Sequence, residues 1–157
     1  MATQYTAGLT SGQVLTAATM NQIGAQSVTY SPTWTSTGTA PSLGNGTLSA
    51  RYFQIQKIIF VELYFTPGST TSYGTGIYKF SLPIAARAGL FGYMSNGLAR
   101  LYDASTAQAT FAQTGFYAAD YNNVMVYLAP SGQVTNTTPF TWATSDELIM
   151  SFQYEAA

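Results

Sequence analysis

Lys57-Ile-Ile-Phe-Val-Glu-Leu-Tyr-Phe65 is the stretch that decides the fold class. In an extended chain successive side chains point to opposite faces. Ile59, Val61, Leu63 and Phe65 therefore share one face, and Ile58, Phe60, Glu62 and Tyr64 share the other. The first set is wholly aliphatic or aromatic, as a core face requires. The second carries a carboxylate and two rings, which suits a partly covered outer face. The same period returns in Ile77–Leu82, where Tyr78, Phe80 and Leu82 point inward and Pro83 ends the strand. Upstream, Leu48–Ile55 alternates less cleanly and runs into Gln56-Lys57, a two-residue hairpin turn.

Turn residues punctuate the rest of the chain: Pro32, Gly44-Asn45-Gly46, Pro67-Gly68, Gly74, Gly76, Asn96-Gly97, Gly115, Asn122-Asn123 and Pro130. Turns separated by roughly 8–12 residues are the mark of an antiparallel sandwich or barrel. Gly89–Ser95, Gly97–Asp103, Gln108–Ala112, Asn123–Leu128 and Leu148–Tyr154 complete the set of strands. About eight or nine strands is a jelly-roll-like count. The expectation is an all-β body over residues 27–157, an antiparallel β-sandwich of jelly-roll type.

Residues 1–26 read differently. Thr16–Gly24 has the marks of a short helix: Thr16 as N-cap, Leu15 and Met20 at the spacing of a hydrophobic staple, and Gly24 as a stop. Met20 and Ile23 lie on one face. So short a helix does not hold in water by itself and needs a surface, on its own domain or on another protein. This segment is read as a docking arm.

Composition narrows the function. The chain has 157 residues, of which 7% are charged and 15% aromatic, and its formal net charge is −1. Soluble domains average about 25% charged residues. Five basic side chains make no field for a phosphate backbone, so nucleic acid is not an expected partner. No apolar run approaches the roughly 18 residues of a membrane span, and the start Met-Ala-Thr-Gln-Tyr lacks the basic region of a signal peptide. Synthesis in a cytoplasm, with no membrane partner, is the expectation. Without cysteine or histidine the chain lacks thiol chemistry, the commonest general base and the usual zinc ligands. No cofactor and no metal are expected, and the protein is read as not an enzyme. A surface this poor in charge favours association.

The remaining chemistry is sparse. Asp146 and Glu147 are adjacent, so an extended backbone points them apart. Asp103, Asp120 and Glu155 are scattered and are read as solvated surface carboxylates. A glycosidase pair would need two carboxyl groups within about 5–10 Å. Asp120-Tyr-Asn-Asn123 could offer oxygen ligands to calcium but reads better as an Asx turn. Aromatic rings are the main resource. Trp34 in Pro-Thr-Trp-Thr and Trp142 in Phe-Thr-Trp-Ala-Thr sit among hydroxyls and are candidate contacts for a host glycan. The alternatives are an interface role and a core role.

Several motifs carry a resemblance. Tyr5-Thr-Ala-Gly, then Gly12-Gln-Val-Leu-Thr-Ala-Ala-Thr-Met-Asn21, is similar to the amino-terminal signature of tailed-bacteriophage virion proteins. Tyr30-Ser-Pro-Thr-Trp34, Gly38-Thr-Ala-Pro-Ser-Leu-Gly-Asn-Gly-Thr-Leu48, Arg51-Tyr-Phe-Gln-Ile-Gln-Lys57, Phe80-Ser-Leu-Pro83, Leu101-Tyr-Asp-Ala-Ser-Thr106 and Tyr154-Glu-Ala156 resemble pieces of the β-domains of such proteins. At Gln56 the pattern prefers Gly. Proteins of this look serve as decoration, head-fibre or minor tail components. The resemblance implies a homotrimeric capsid decoration protein, located on the virion after synthesis in the host cytoplasm. Its partner would be the major capsid protein or a tail component, anchored through Tyr5, Leu9, Val14, Leu15, Met20 and Ile23 of the arm. The alternative is a tail-fibre or minor tail module that contacts host surface glycans.

Overall fold

A computed structural model describes residues 26–89, 97–116, 120–130 and 132–157. Among them all regular structure is strand: β1 (Val28–Tyr30), β2 (Trp34–Ser36), β3 (Thr47–Ile55), β4 (Ile58–Thr66), β5 (Tyr78–Ser81), β6 (Gly97–Asp103), β7 (Gln108–Phe116), β8 (Asn123–Tyr127) and β9 (Glu147–Glu155). The helix read at Thr16–Gly24 and the anchoring residues Tyr5, Leu9, Val14, Leu15, Met20 and Ile23 lie outside the described residues. So does the strand read at Gly89–Ser95, apart from Gly89.

The alternation of β4 is realised. Ile59, Val61, Leu63 and Phe65 are all 2% exposed or less, while Ile58, Glu62 and Tyr64 open to solvent. β9 lies antiparallel to β4 from Ile58↔Glu155 to Phe65↔Leu148, and adds Leu148, Met150, Phe152 and Tyr154 to the same face. Inward pointing of Tyr78 and Phe80 holds as well, with Leu82 partly buried behind them.

The layer arrangement departs from the expected sandwich. All nine strands are hydrogen-bonded in one antiparallel sheet, ordered β1-β3-β4-β9-β6-β7-β8-β5-β2. The cause is β9, which enters between β4 and β6 and pairs with both. It thereby joins the β3–β4 hairpin and the β6–β7–β8 meander into one ladder. A twisted sheet of this width can curl and cover its own concave face.

The curl follows from connectivity. β1 and β2 occupy opposite edges of the sheet, yet only Ser31, Pro32 and Thr33 separate them. Four Cα steps reach at most about 14 Å, so the two edges must approach each other. Tyr30 Oη, from the β1 edge, donates to the carbonyl of Ser81 on β5 at 3.4 Å. The result is a half-barrel with its core inside. Trp34, Phe65, Tyr78, Phe80 and Trp142 form the aromatic part of that core, with Trp34 4.7 Å from Phe65 and 5.0 Å from Tyr78, centroid to centroid. Each such side chain contributes about 1.5–3 kcal/mol on burial, which offsets the cost of ordering a largely non-local sheet.

Two turns show how local sequence sets the hairpins. Ile55 pairs with Ile58, so Gln56-Lys57 forms a two-residue turn, as expected, and Gln56 takes a left-handed φ of 53°. Glycine takes that conformation without strain. Between β6 and β7, Asp103 Oδ1 accepts from the backbone N–H of Ser105 at 2.9 Å and of Thr106 at 3.3 Å. Those bonds are the Asx-turn geometry that lets a short loop reverse the chain.

Candidate functional site

All eleven charged side chains of the protein fall within the described residues. Three ion pairs take six of them: Lys79–Asp120 at 3.1 Å, Arg87–Glu155 at 2.7 Å and Arg100–Glu147 at 2.9 Å. Asp120 also accepts from Asn123 Nδ2 at 3.0 Å and from the Asn122 N–H at 3.2 Å. Burial alone would raise its carboxyl, but those bonds and the Lys79 ammonium hold it below the ordinary carboxylate range. The Asp-Tyr-Asn-Asn stretch is thus an Asx turn tied to a lysine. Asp103 is likewise held low, first by the Ser105 hydroxyl and then by backbone donors.

Asp146 and Glu147 do point apart, one into the protein and the other to Arg100 on the outer face. Asp146 is 1% exposed. Its two oxygens accept from the backbone N–H of Ala104 at 2.9 Å and of Ala143 at 2.7 Å. Glu62, Glu147 and Glu155 share the outer face. Glu62 stands level with Ser151, and the other two lie four residues to either side along β9. Four residues of strand span about 13 Å. That separation exceeds the ~5–10 Å of a glycosidase pair.

Trp34 and Trp142 are 8% and 3% exposed and belong to the core. Trp142 Nε1 donates to the Thr135 carbonyl at 3.0 Å, and its ring packs on Phe65 and Phe140. Burial assigns both rings to packing, the core alternative of the sequence reading, and leaves no ring face for a sugar. Tyr30, Tyr78 and Tyr154 are also drawn inward, and burial pushes their phenols above the ordinary tyrosine value.

What remains open is the outer face of the sheet. Phe53 and Phe60 stack across the β3–β4 hairpin with centroids 4.6 Å apart and planes 11° from parallel. Two strands away Leu98 is 68% exposed, and on β7 Phe111 is 75% exposed. Ile149 faces Arg100 in the β6–β9 register, and Arg100 faces Phe111 in the next. The Arg100 guanidinium sits 4.7 Å above the Tyr102 ring. A shallow depression of about 580 Å³ opens between the Phe53–Phe60 stack and Leu98, floored by Ser151 and Gln153. A smaller one of about 370 Å³ adjoins it at Arg51 and Glu62, beside Tyr64 and Ser49. Gly97 ends β6 at the rim, where an added Cβ would meet the Ser151 carbonyl at 2.2 Å.

The sequence reading foresaw a partly covered outer face on β4 but did not single out Leu98 or Phe111. The signal was the inverted pattern of β7. There Ala112 and Thr114 point in, while Phe111, the largest residue of its stretch, points out.

No protein-family model matches the chain, and no solved structure does. Over 113 residues the chain is 32% identical to the Mu-like prophage FluMu defective tail fiber protein of Haemophilus influenzae. The match covers 72% of this chain and 18% of that protein, so the chain spans about a fifth of the length of the relative. The likeness is to a phage structural protein.

Proposed function

We propose that this chain is a structural, non-enzymatic module of a phage virion, placed in the tail fibre. The observation that carries the reading is the likeness over 113 residues to a prophage tail fiber protein. The structure is compatible with work done by surfaces. Five of its six carboxylates cap turns or pair with cations, and its open face is aromatic and aliphatic with few charges. Copies act together as a homotrimer, the assembly implied by the resemblance of the sequence motifs; symmetric assembly hides apolar surface.

Capsid decoration, which the sequence motifs imply on their own, and a tail position predict different locations. Immunogold labelling of intact virions with an antibody against this chain separates them. Gold confined to the tail is the expected result. Gold spread over the head would replace the tail reading with decoration, and unlabelled particles would overturn the virion assignment.

A further inference from the structure

We infer that the outer face of the sheet is a self-association surface, in which Phe111 of one copy enters the depression beside Leu98 of a second copy. The inference rests on the reading that copies act together, and it names the surface involved. Knob and socket are both present on the free molecule. Phe111 is the most exposed large apolar side chain among the described residues, at 75%, and it stands on β7. The socket is walled by Phe53, Phe60 and Leu98, and its volume of about 580 Å³ is ample for one phenylalanine ring. Strands β7, β6, β9 and β4 are consecutive neighbours in the sheet. Phe111 therefore stands one strand from the Leu98 wall but two from the Ser151–Gln153 floor and three from Phe60, about 10–14 Å. Its register with Arg100 sets it two residues further along than Leu98, so it does not fill the socket within one chain.

Charge favours a second copy as the occupant. The face carries Arg51, Arg100, Glu62, Glu147 and Glu155, with Arg51 beside Glu62 in register, Arg100 ion-paired to Glu147 and Glu155 ion-paired to Arg87, so its charges are largely compensated. The whole chain has a net charge of −1, so identical faces meet without appreciable repulsion. The area is of the right order as well. Five strands about 4.8 Å apart and about eight residues tall project roughly 600 Å², against about 800 Å² per partner in stable interfaces. Because knob and socket stand at different places on one face, each copy can offer its knob to one neighbour and its socket to another, and three such contacts close as the ring of a homotrimer.

The absence of cysteine from the protein makes the test clean. Full-length Ala109→Cys, exposed beside Phe111 on the same face of β7, and full-length Gln153→Cys chains, both retaining Phe111, are mixed and oxidised. The disulfide-linked heterodimer is measured against each variant alone and against the mixture under denaturant. A cross-link formed in the native mixture and lost in denaturant is the expected result. In parallel, sedimentation equilibrium compares the wild-type chain with Phe111→Ser and Leu98→Ser, whose exposure leaves folding intact, as circular dichroism would verify. Each substitution is expected to weaken self-association about thirtyfold, the scale of losing an aromatic or aliphatic anchor. A wild-type chain that stays monomeric, or an oligomer that tolerates both substitutions and yields no cross-link, would overturn the inference. So would capture of the socket by residues 1–25 of the same chain, seen as a cross-link from Gln153→Cys to a cysteine placed at Ile23 within one molecule. None of these results bears on where immunogold places the chain on the virion, so the two readings fail independently.

Discussion

The backbone N–H of Ala104 donates to Asp146 Oδ1 at 2.9 Å, and this bond ties the β6–β7 turn to the loop that leads into β9. The other oxygen of the same carboxylate accepts from Ala143 at 2.7 Å. Asp146 itself is 1% exposed, while Ala104 and Ala143 are exposed residues, so water can take over part of the bonding if the acceptor is lost. Asp146→Ala removes the acceptor of two charge-assisted bonds that water replaces in part, and should lower stability by about 1–3 kcal/mol. Asp146→Asn keeps one acceptor and should cost about half as much. Urea unfolding of the three proteins checks the order wild type, Asn, Ala; equal midpoints would remove the structural role given to this carboxylate.

Gln56 stands at φ 53°, a conformation that costs an L-residue energy and glycine little. Its side chain appears in no hydrogen bond of its own, and it is the Gln56 carbonyl that accepts from Gln54 Nε2 at 2.6 Å. Gln56→Gly retains that carbonyl. The substitution should raise stability by about 0.5–1 kcal/mol, read as a higher melting temperature. A lower one would mean that the gain in chain entropy of the unfolded state outweighs the relief of strain.

Tyr30, Tyr78 and Tyr154 have phenols pushed above the ordinary value by burial, and Tyr73 shifts the same way through burial and the nearby Asp146 charge. Their folded-state values are raised, so the unfolded chain gives up these protons first. The associated stability is complete below about pH 10, where unfolded tyrosines begin to ionise, and is lost as pH rises. Ultraviolet titration of tyrosinate should show a group that ionises only with alkaline unfolding. A single titration of all twelve tyrosines near pH 10 in the native state would contradict the burial.

Trp142 bears on how binding experiments are interpreted. At 3% exposure, with its indole N–H bonded to Thr135, it is a core residue. Trp142→Ala should cost about 3–5 kcal/mol. Any loss of host binding in that variant would follow from unfolding. Acrylamide quenching of tryptophan fluorescence should be weak in the native protein and strong in denaturant; strong native quenching would return Trp34 and Trp142 to the surface.

The residues that could be placed from sequence were those whose pattern repeats. Ile59 to Phe65 and Tyr78 to Phe80 alternate strictly, and their burial follows from a period of two. The Gln56-Lys57 turn was legible because two clear strands flank it. The single sheet was not legible, because β9 pairs with β4 and β6 across some eighty and fifty residues of chain, and no local pattern encodes such a partner. The opposite facing of Asp146 and Glu147 was legible from adjacency, but the burial of Asp146 was not, because burial of a carboxylate depends on which backbone donors the fold brings to it. The two tryptophans were open to three readings, since a ring among hydroxyls looks the same in a core as on a surface. Phe111 was visible only once Ala112 and Thr114 were known to face inward.

Removal of residues 1–25 tests the division of the chain into arm and body. Among the described residues, every member of the buried hydrophobic cluster lies between Trp34 and Ala156, and the first strand starts at Val28. No charged residue is lost with the segment. The chain starting at Gln26 should therefore unfold cooperatively, with a stability within about 1 kcal/mol of the full protein. Urea unfolding followed by tryptophan fluorescence reads this directly, because Trp34 and Trp142 both lie inside the core. A drop of several kcal/mol would show that the segment leans on its own domain, which is one of the two surfaces its short helical pattern requires. An unchanged midpoint leaves the other surface, a second protein, as the place where Met20 and Ile23 are buried.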